Sequence, residues 1–158
     1  MKRLLVLGLF AATACGGAPE GALTLGTGVQ RFDPLLDGAS LEIVAGIQGG
    51  YHATLSLKAE GIEPGEAGRF NDTNPVIDFD VYADGERIDV SEPLAFGLSP
   101  EEDATYVGLG RRVVLANEAV EPLESMQGVP LTVEVFLEDM HGTALTARAE
   151  VIAAPYLD

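Results

Sequence analysis

The sequence predicts an all-β protein, an antiparallel β-sandwich of about seven strands. From residue 41 onward, apolar and polar residues alternate with a period of two, as expected of strands that bury one face. Clusters of Gly, Pro, Asn and Asp separate the alternating segments. No segment shows the apolar periodicity of an amphipathic helix of three turns.

The strands are predicted from this alternation. The clearest segments are 41–45, 51–60, 76–83, 106–116, 131–138 and 143–153, with shorter candidates at 87–90 and 94–98. Asp84-Gly85 favours a tight hairpin turn because both residues tolerate a positive φ. Gly108 and Gly110 predict a bulge that re-aims Arg111 away from the apolar face of its strand. Segment 117–127 contains Pro122 and allows at most a helical turn.

The first fourteen residues have the anatomy of an export signal. Lys2 and Arg3 supply positive charge, and a short apolar run follows at 4–12. That run is far below the roughly 20 residues that a membrane-spanning helix needs. Small residues lead to Cys15, the only cysteine in the chain, so no intramolecular disulfide can form.

Ala12-Thr13-Ala14-Cys15 resembles the lipobox of bacterial lipoproteins. Ala12 stands where leucine is commonest in that motif. The resemblance covers residues 1–17 and implies a diacylglycerol on the Cys15 sulfur, cleavage just before it, and acylation of the new N-terminus. Gly16 does not resemble the aspartate that retains some lipoproteins at the inner membrane, so the outer membrane is favoured. The alternative is an ordinary cleaved signal with an incidental cysteine.

We therefore expect three regions: a signal peptide at 1–14, a lipidated Cys15 with a flexible tether at 15–39, and a sandwich domain at 40–158. The pattern over 40–155 loosely resembles the immunoglobulin-like domains of bacterial surface and periplasmic lipoproteins. The buried tryptophan and paired cysteines of antibody domains are absent. An up-and-down barrel such as a lipocalin is the alternative fold.

The strong negative charge restricts the partners. The net charge is −16, and loss of Lys2 and Arg3 with the signal takes it to −18. Such a field repels phosphate backbones, so we expect no nucleic-acid partner. Divalent metals, basic proteins and amino sugars remain compatible with it.

The motifs of common enzymes do not occur in the sequence. There is no G-x-S-x-G elbow, no H-E-x-x-H or C-x-x-C, and no glycine-rich loop followed by Lys-Ser or Lys-Thr. We predict that the protein is not an enzyme. A hydrolase is a third hypothesis, which requires His52 or His141 within hydrogen-bond reach of a carboxylate and a hydroxyl.

Two segments are candidate sites. Asp72, Asn74, Asp78 and Asp80 lie in or just after an acidic loop, and calcium takes six to eight such oxygen ligands. This string is faintly similar to the Asp-Asn-Pro linker of cadherin-type calcium sites. In the second segment, Gln48, Tyr51 and His52 lie among or just after three closely spaced glycines and could form a polar ligand-binding patch at one end of the sandwich.

The sequence thus predicts a lipid-anchored cell-envelope protein. The membrane would be its partner through acyl chains on Cys15, and the domain would bind an envelope protein or glycan or serve as an accessory subunit, without a cofactor. The alternative function is a calcium-dependent adhesion or stability module.

Overall fold

A computed structural model describes residues 21–46 and 50–156. The predictions for Cys15 and Gln48 fall outside these residues. Within them the structure is all-β, and no helix has the length and apolarity to cross a membrane. Eleven strands are present: β1 Ala22–Thr27, β2 Asp33–Pro34, β3 Ser40–Ala45, β4 Tyr51–Glu60, β5 Val76–Ala83, β6 Glu86–Arg87, β7 Leu94–Ala95, β8 Ser99–Pro100, β9 Thr105–Leu115, β10 Pro130–Glu138 and β11 Ala144–Pro155. Two single helical turns, α1 Asn117–Val120 and a 3-10 turn Leu123–Met126, lie between β9 and β10.

The strands form two facing layers. In the first layer, β4 pairs with β9 on one side and with β1 on the other. In the second layer, β10 pairs with β5 and β11. Leu57 of β4 and Phe79 of β5 line the same apolar pocket although their strands do not pair, so the layers pack face to face. The strand order is not sequential, which excludes the alternative of an up-and-down barrel.

Strand β3 joins the two layers. Its first residues, 40–43, pair in parallel with 152–155 of β11, and 43–45 pair antiparallel with 51–53 of β4. The sheet is therefore mixed: the named strands pair antiparallel, as predicted for the sandwich, except for this one parallel pairing. About seven strands were predicted, and the described residues form eleven. The difference arises from β2, β6, β7 and β8, which are only two residues long.

The predicted inward faces form the core. Alternate residues of β4, β5 and β10 are buried as the sequence indicates, with Leu55, Val81 and Val133 each 0% exposed. The core includes, from these three strands, Ala53, Leu55, Leu57, Ala59, Ile77, Phe79, Val81, Leu131, Val133, Val135 and Leu137. One continuous apolar cluster between two layers is what stabilises a sandwich of this size.

The predicted tether at 15–39 was wrong from Ala22 onward. Residues 22–27 form β1, which pairs with β4 from Ala22 opposite Glu60 to Gly26 opposite Ser56. Leu23 and Leu25 alternate toward the core, and this short alternation was obscured by the surrounding Gly and Thr. The folded domain therefore includes residues 22–27, which precede the predicted boundary at residue 40.

The bulge in β9 is confirmed. Leu55 faces Arg111 and Leu57 faces Gly108, so β9 carries one extra residue, and Gly110 has a φ of +68°. The buried Ser56 hydroxyl accepts a hydrogen bond from Gly110 N and donates one to Gly28 O. The bulge does not carry Arg111 away from the inner face, because its side chain lines the opening between the layers.

The loop at 61–75 is fastened to the β10–β11 turn by one buried carboxylate. Asp139 Oδ2 accepts a hydrogen bond from Glu63 N at 2.9 Å, and Oδ1 accepts from His141 N and Thr143 N, both at 2.9 Å. Burial alone would raise the pKa of Asp139, but these hydrogen bonds outweigh it and lower the pKa below the ordinary value of 3.8.

We expect Asp139→Asn to cost about 1–3 kcal/mol of unfolding free energy at pH 7, because the Asn amide cannot accept at both positions. A carboxyl with a lowered folded-state pKa stabilises above its ordinary pKa and loses that contribution as pH falls through the folded value. The difference between wild type and variant should therefore shrink below about pH 4. Urea denaturation between pH 3 and 7 measures this, with Glu138→Gln, an exposed neighbour, as the control. An equal loss at pH 3 and pH 7 would contradict this role for the carboxylate.

Candidate functional site

The outward side of the second layer carries a regular array of charged and aromatic side chains, here called the outer face. Its members are Asp78, Asp80 and Tyr82 of β5, Thr132, Glu134 and Phe136 of β10, and Thr146, Arg148 and Glu150 of β11. They face outward because the alternate residues of the same strands are buried in the core.

The strand register places these residues in three rows across the sheet. Asp78, Phe136 and Thr146 form one row. The next two rows are Asp80–Glu134–Arg148 and Tyr82–Thr132–Glu150. Asp80 and Glu134 are therefore directly opposite each other, and like charges in that position repel.

Two arginines flank this repulsive pair. On the β5 side, an Arg87 guanidinium nitrogen lies 2.8 Å from Asp80 Oδ1. Arg87 also forms two hydrogen bonds to the buried Asp89, Nε to Oδ1 at 3.1 Å and Nη2 to Oδ2 at 2.9 Å. These bonds, with the surrounding carboxylates, raise the pKa of Arg87. On the β11 side, Arg148 lies 3.3 Å from Glu134.

Asp78 is less fully compensated, although the charge of Arg87 and the backbone N–H of Phe79 favour its ionised form. Its Oδ1 is shielded from solvent and has no hydrogen-bond partner among the described residues, and the same holds for Asp80 Oδ1. Burial first, and then the nearby Asp80 carboxylate, raise the pKa of Asp78 above its ordinary value of 3.8. One oxygen of the Asp78 carboxylate, Oδ1, therefore lacks a hydrogen-bond donor.

The middle of the outer face is a shallow depression of about 450 Å³. Phe136, 38% exposed, forms an apolar wall beside Asp80, Glu134 and Arg148. Tyr82 donates a hydrogen bond to Asp80 at 3.4 Å, and burial together with the Asp80 and Glu134 carboxylates raises the pKa of the phenol. An aromatic wall with carboxylates and an arginine suits a ligand that offers hydrogen-bond donors and an apolar face.

The four residues of the predicted calcium site do not share one environment. Asn74 is buried, where its Oδ1 accepts from Glu66 N at 2.8 Å and its Nδ2 donates to Arg69 O, so its amide holds the 61–75 loop together. Asp72 is exposed in that loop, whereas Asp78 and Asp80 are on the outer face. In the part of the chain that the structure describes, no three His, Cys, Asp or Glu residues are grouped to hold a metal ion. Calcium binding stays a prediction.

The predicted ligand patch is at the start of β4. Tyr51 pairs with Leu115 and packs partly against the core. His52 stands between Val44 and Val114 on the outward side of the first layer. Within residues 21–46 and 50–156, neither the His52 nor the His141 imidazole hydrogen-bonds a carboxylate or hydroxyl, so the arrangement that a hydrolase needs is not formed there.

The sequence predicted Asp78 and Asp80 on one strand face but missed their neighbours. Arg87 comes from β6, Glu134 and Phe136 from β10, and Arg148 from β11. The only signal in the sequence was the outward set of each strand, which does not reveal which strands pair or in what register.

Comparisons with known proteins give little further information. No protein-family model and no curated protein matches the chain. Among solved structures, the chain is similar to the CooA pilin subunit from enterotoxigenic Escherichia coli, with 8% sequence identity over 85% of this chain and 99% of that chain. The TM-score is 0.32, and no residue role or function is carried over at that level of similarity.

We expect Asp78→Asn to raise the melting temperature at pH 7. A carboxyl whose folded-state pKa is raised costs stability once it is ionised, so the folded wild type gains stability as pH falls toward 3.8. The advantage of the variant should accordingly disappear near pH 3. Thermal unfolding at both pH values measures this, with the exposed Asp72→Asn as the matched control. A variant less stable than wild type at pH 7 would show that the Asp78 charge has a stabilising partner.

Proposed function

We propose that the protein is a lipid-anchored cell-envelope protein whose β-sandwich has a non-catalytic binding or structural role. The observation that carries the proposal is the position of Cys15. The sole cysteine stands at the end of a segment resembling a lipobox, and only six residues separate it from β1, which begins at Ala22. Acyl chains on that sulfur would hold the folded domain directly at a bilayer, since each buried methylene stabilises the anchor by about 0.8 kcal/mol.

The outer face supports the binding part of the proposal. Aromatic and arginine side chains are enriched at interfaces, and Phe136 and Arg148 line one depression. The carboxylates of Asp80 and Glu134 line the same depression. A hydroxyl-rich glycan or a protein segment that carries hydrogen-bond donors would bind to these two carboxylates. Gly16 after the cysteine favours the outer membrane as the location.

Intact mass of the membrane-extracted protein tests the anchor. We expect a mature chain that begins at Cys15 and is heavier by its acyl groups, because the thiol and the new amine are both modified in lipoproteins. The Cys15→Ser variant should lack this mass and appear in the soluble fraction. Unmodified mature protein that is soluble in both cases would overturn the proposal.

A further inference from the structure

The chain enters the domain at one defined end, here called the anchor end. Gly21 lies against Glu60 and Leu145, since a side-chain carbon at that glycine would be 2.9 Å from Glu60 O and 3.1 Å from a Leu145 methyl. Two loops leave the sheet at this end. The 61–75 loop follows Glu60 and returns at Val76, and the turn 139–143 joins β10 to β11. Asp139 ties the two loops together.

The connection from Cys15 to the anchor end is short. Six residue steps separate Cys15 from Gly21, and an extended chain spans at most about 20 Å over that distance. Strand β4 alone is ten residues long, about 30 Å, and runs from Tyr51 at the opposite end to Glu60. An acylated Cys15 would therefore keep the anchor end near the lipid, while the end with Tyr51 and His52 would point away from it.

Exposed apolar side chains are present in both loops of the anchor end. Phe70, in the 61–75 loop, is 76% exposed, the most of any large apolar residue in the described chain, and Met140 in the 139–143 turn is 51% exposed. Phenylalanine is a common side chain at bilayer interfaces. Two such residues would bind lipid weakly alone, but a short tether raises their effective concentration at the surface.

The negative charge of the anchor end determines which lipid headgroups it can approach. Glu63, Glu66 and Glu138 flank the same loops, and residues 101–103, just before β9, are all acidic. Anionic headgroups would be repelled by this end, whereas zwitterionic headgroups would not. We propose that the anchor end, through Phe70 and Met140, rests on a zwitterionic lipid surface. This inference rests on the proposed function for its tether.

The test uses two properties of the sequence: it has no tryptophan and only one cysteine. The chain from Cys15 onward is coupled through its thiol to maleimide-bearing lipid in phosphatidylcholine vesicles with brominated acyl chains. Coupling does not depend on acylation in cells, so failure of this inference and failure of the proposed function are distinguishable.

Phe70→Trp and Met140→Trp place single fluorophores at the anchor end. Val90→Trp is the control, because Val90 is 60% exposed and hydrogen-bonds Val114, opposite His52.

On coupling, we expect the fluorescence of Phe70→Trp and Met140→Trp to be quenched and shifted to the blue, and that of Val90→Trp to remain as in buffer. Inclusion of phosphatidylglycerol should weaken the quenching at low ionic strength, and added salt should restore it. Equal quenching at all three positions, or aqueous spectra at both Phe70→Trp and Met140→Trp, would overturn the proposal.

Discussion

Strand β3 contributes backbone hydrogen bonds to both layers of the sandwich, and the arrangement of the molecule depends on this double pairing. Its first half extends β11 in parallel and its second half extends β4 antiparallel. Leu41 and Ile43, at 1% and 0% exposure, fill the space between the layers at the same point. Because one strand belongs to both layers, the two sheets have a fixed relative position, and so do the loops at either end.

That fixed position gives the domain two different ends, with the outer face between them. The anchor end carries Gly21, two exposed apolar residues and several acidic residues in or beside its loops. The opposite end carries the start of β4, at Tyr51. The outer face lies along the second layer between them, with Phe136 beside its carboxylates. In the proposed membrane arrangement, the outer face is roughly perpendicular to the lipid surface and stays accessible to solvent.

The sequence predicted the all-β class and the inward faces of the long strands because both follow from local alternation. It missed β1, whose two inward leucines are surrounded by residues typical of a linker. It also missed the parallel pairing of β3, since partner choice depends on distant residues. Asn74 was predicted as a calcium ligand from its neighbours, but its amide atoms bond to Glu66 and Arg69, a contact set by the path of the loop.

The outer face was likewise only partly predictable from local sequence patterns. Asp78 and Asp80 were predicted to point outward together, which the structure confirms. The raised pKa of Asp78 and the arginines on either side arise only when β6, β10 and β11 come together in their register. The residues of this candidate site come from four strands, so the strand topology determines which of them meet. No short sequence motif therefore identifies the site.

Hydrogen–deuterium exchange of the vesicle-coupled protein, compared with the free protein, shows which end of the domain lies at the lipid, because it reports on every loop in one experiment. We expect slower exchange on vesicles in peptides that cover 61–75 and 139–143. Peptides that cover 83–86 and 116–128, away from the anchor end, should exchange at unchanged rates. Protection at that opposite end, or no change at either end, would contradict the arrangement proposed for this protein at the membrane.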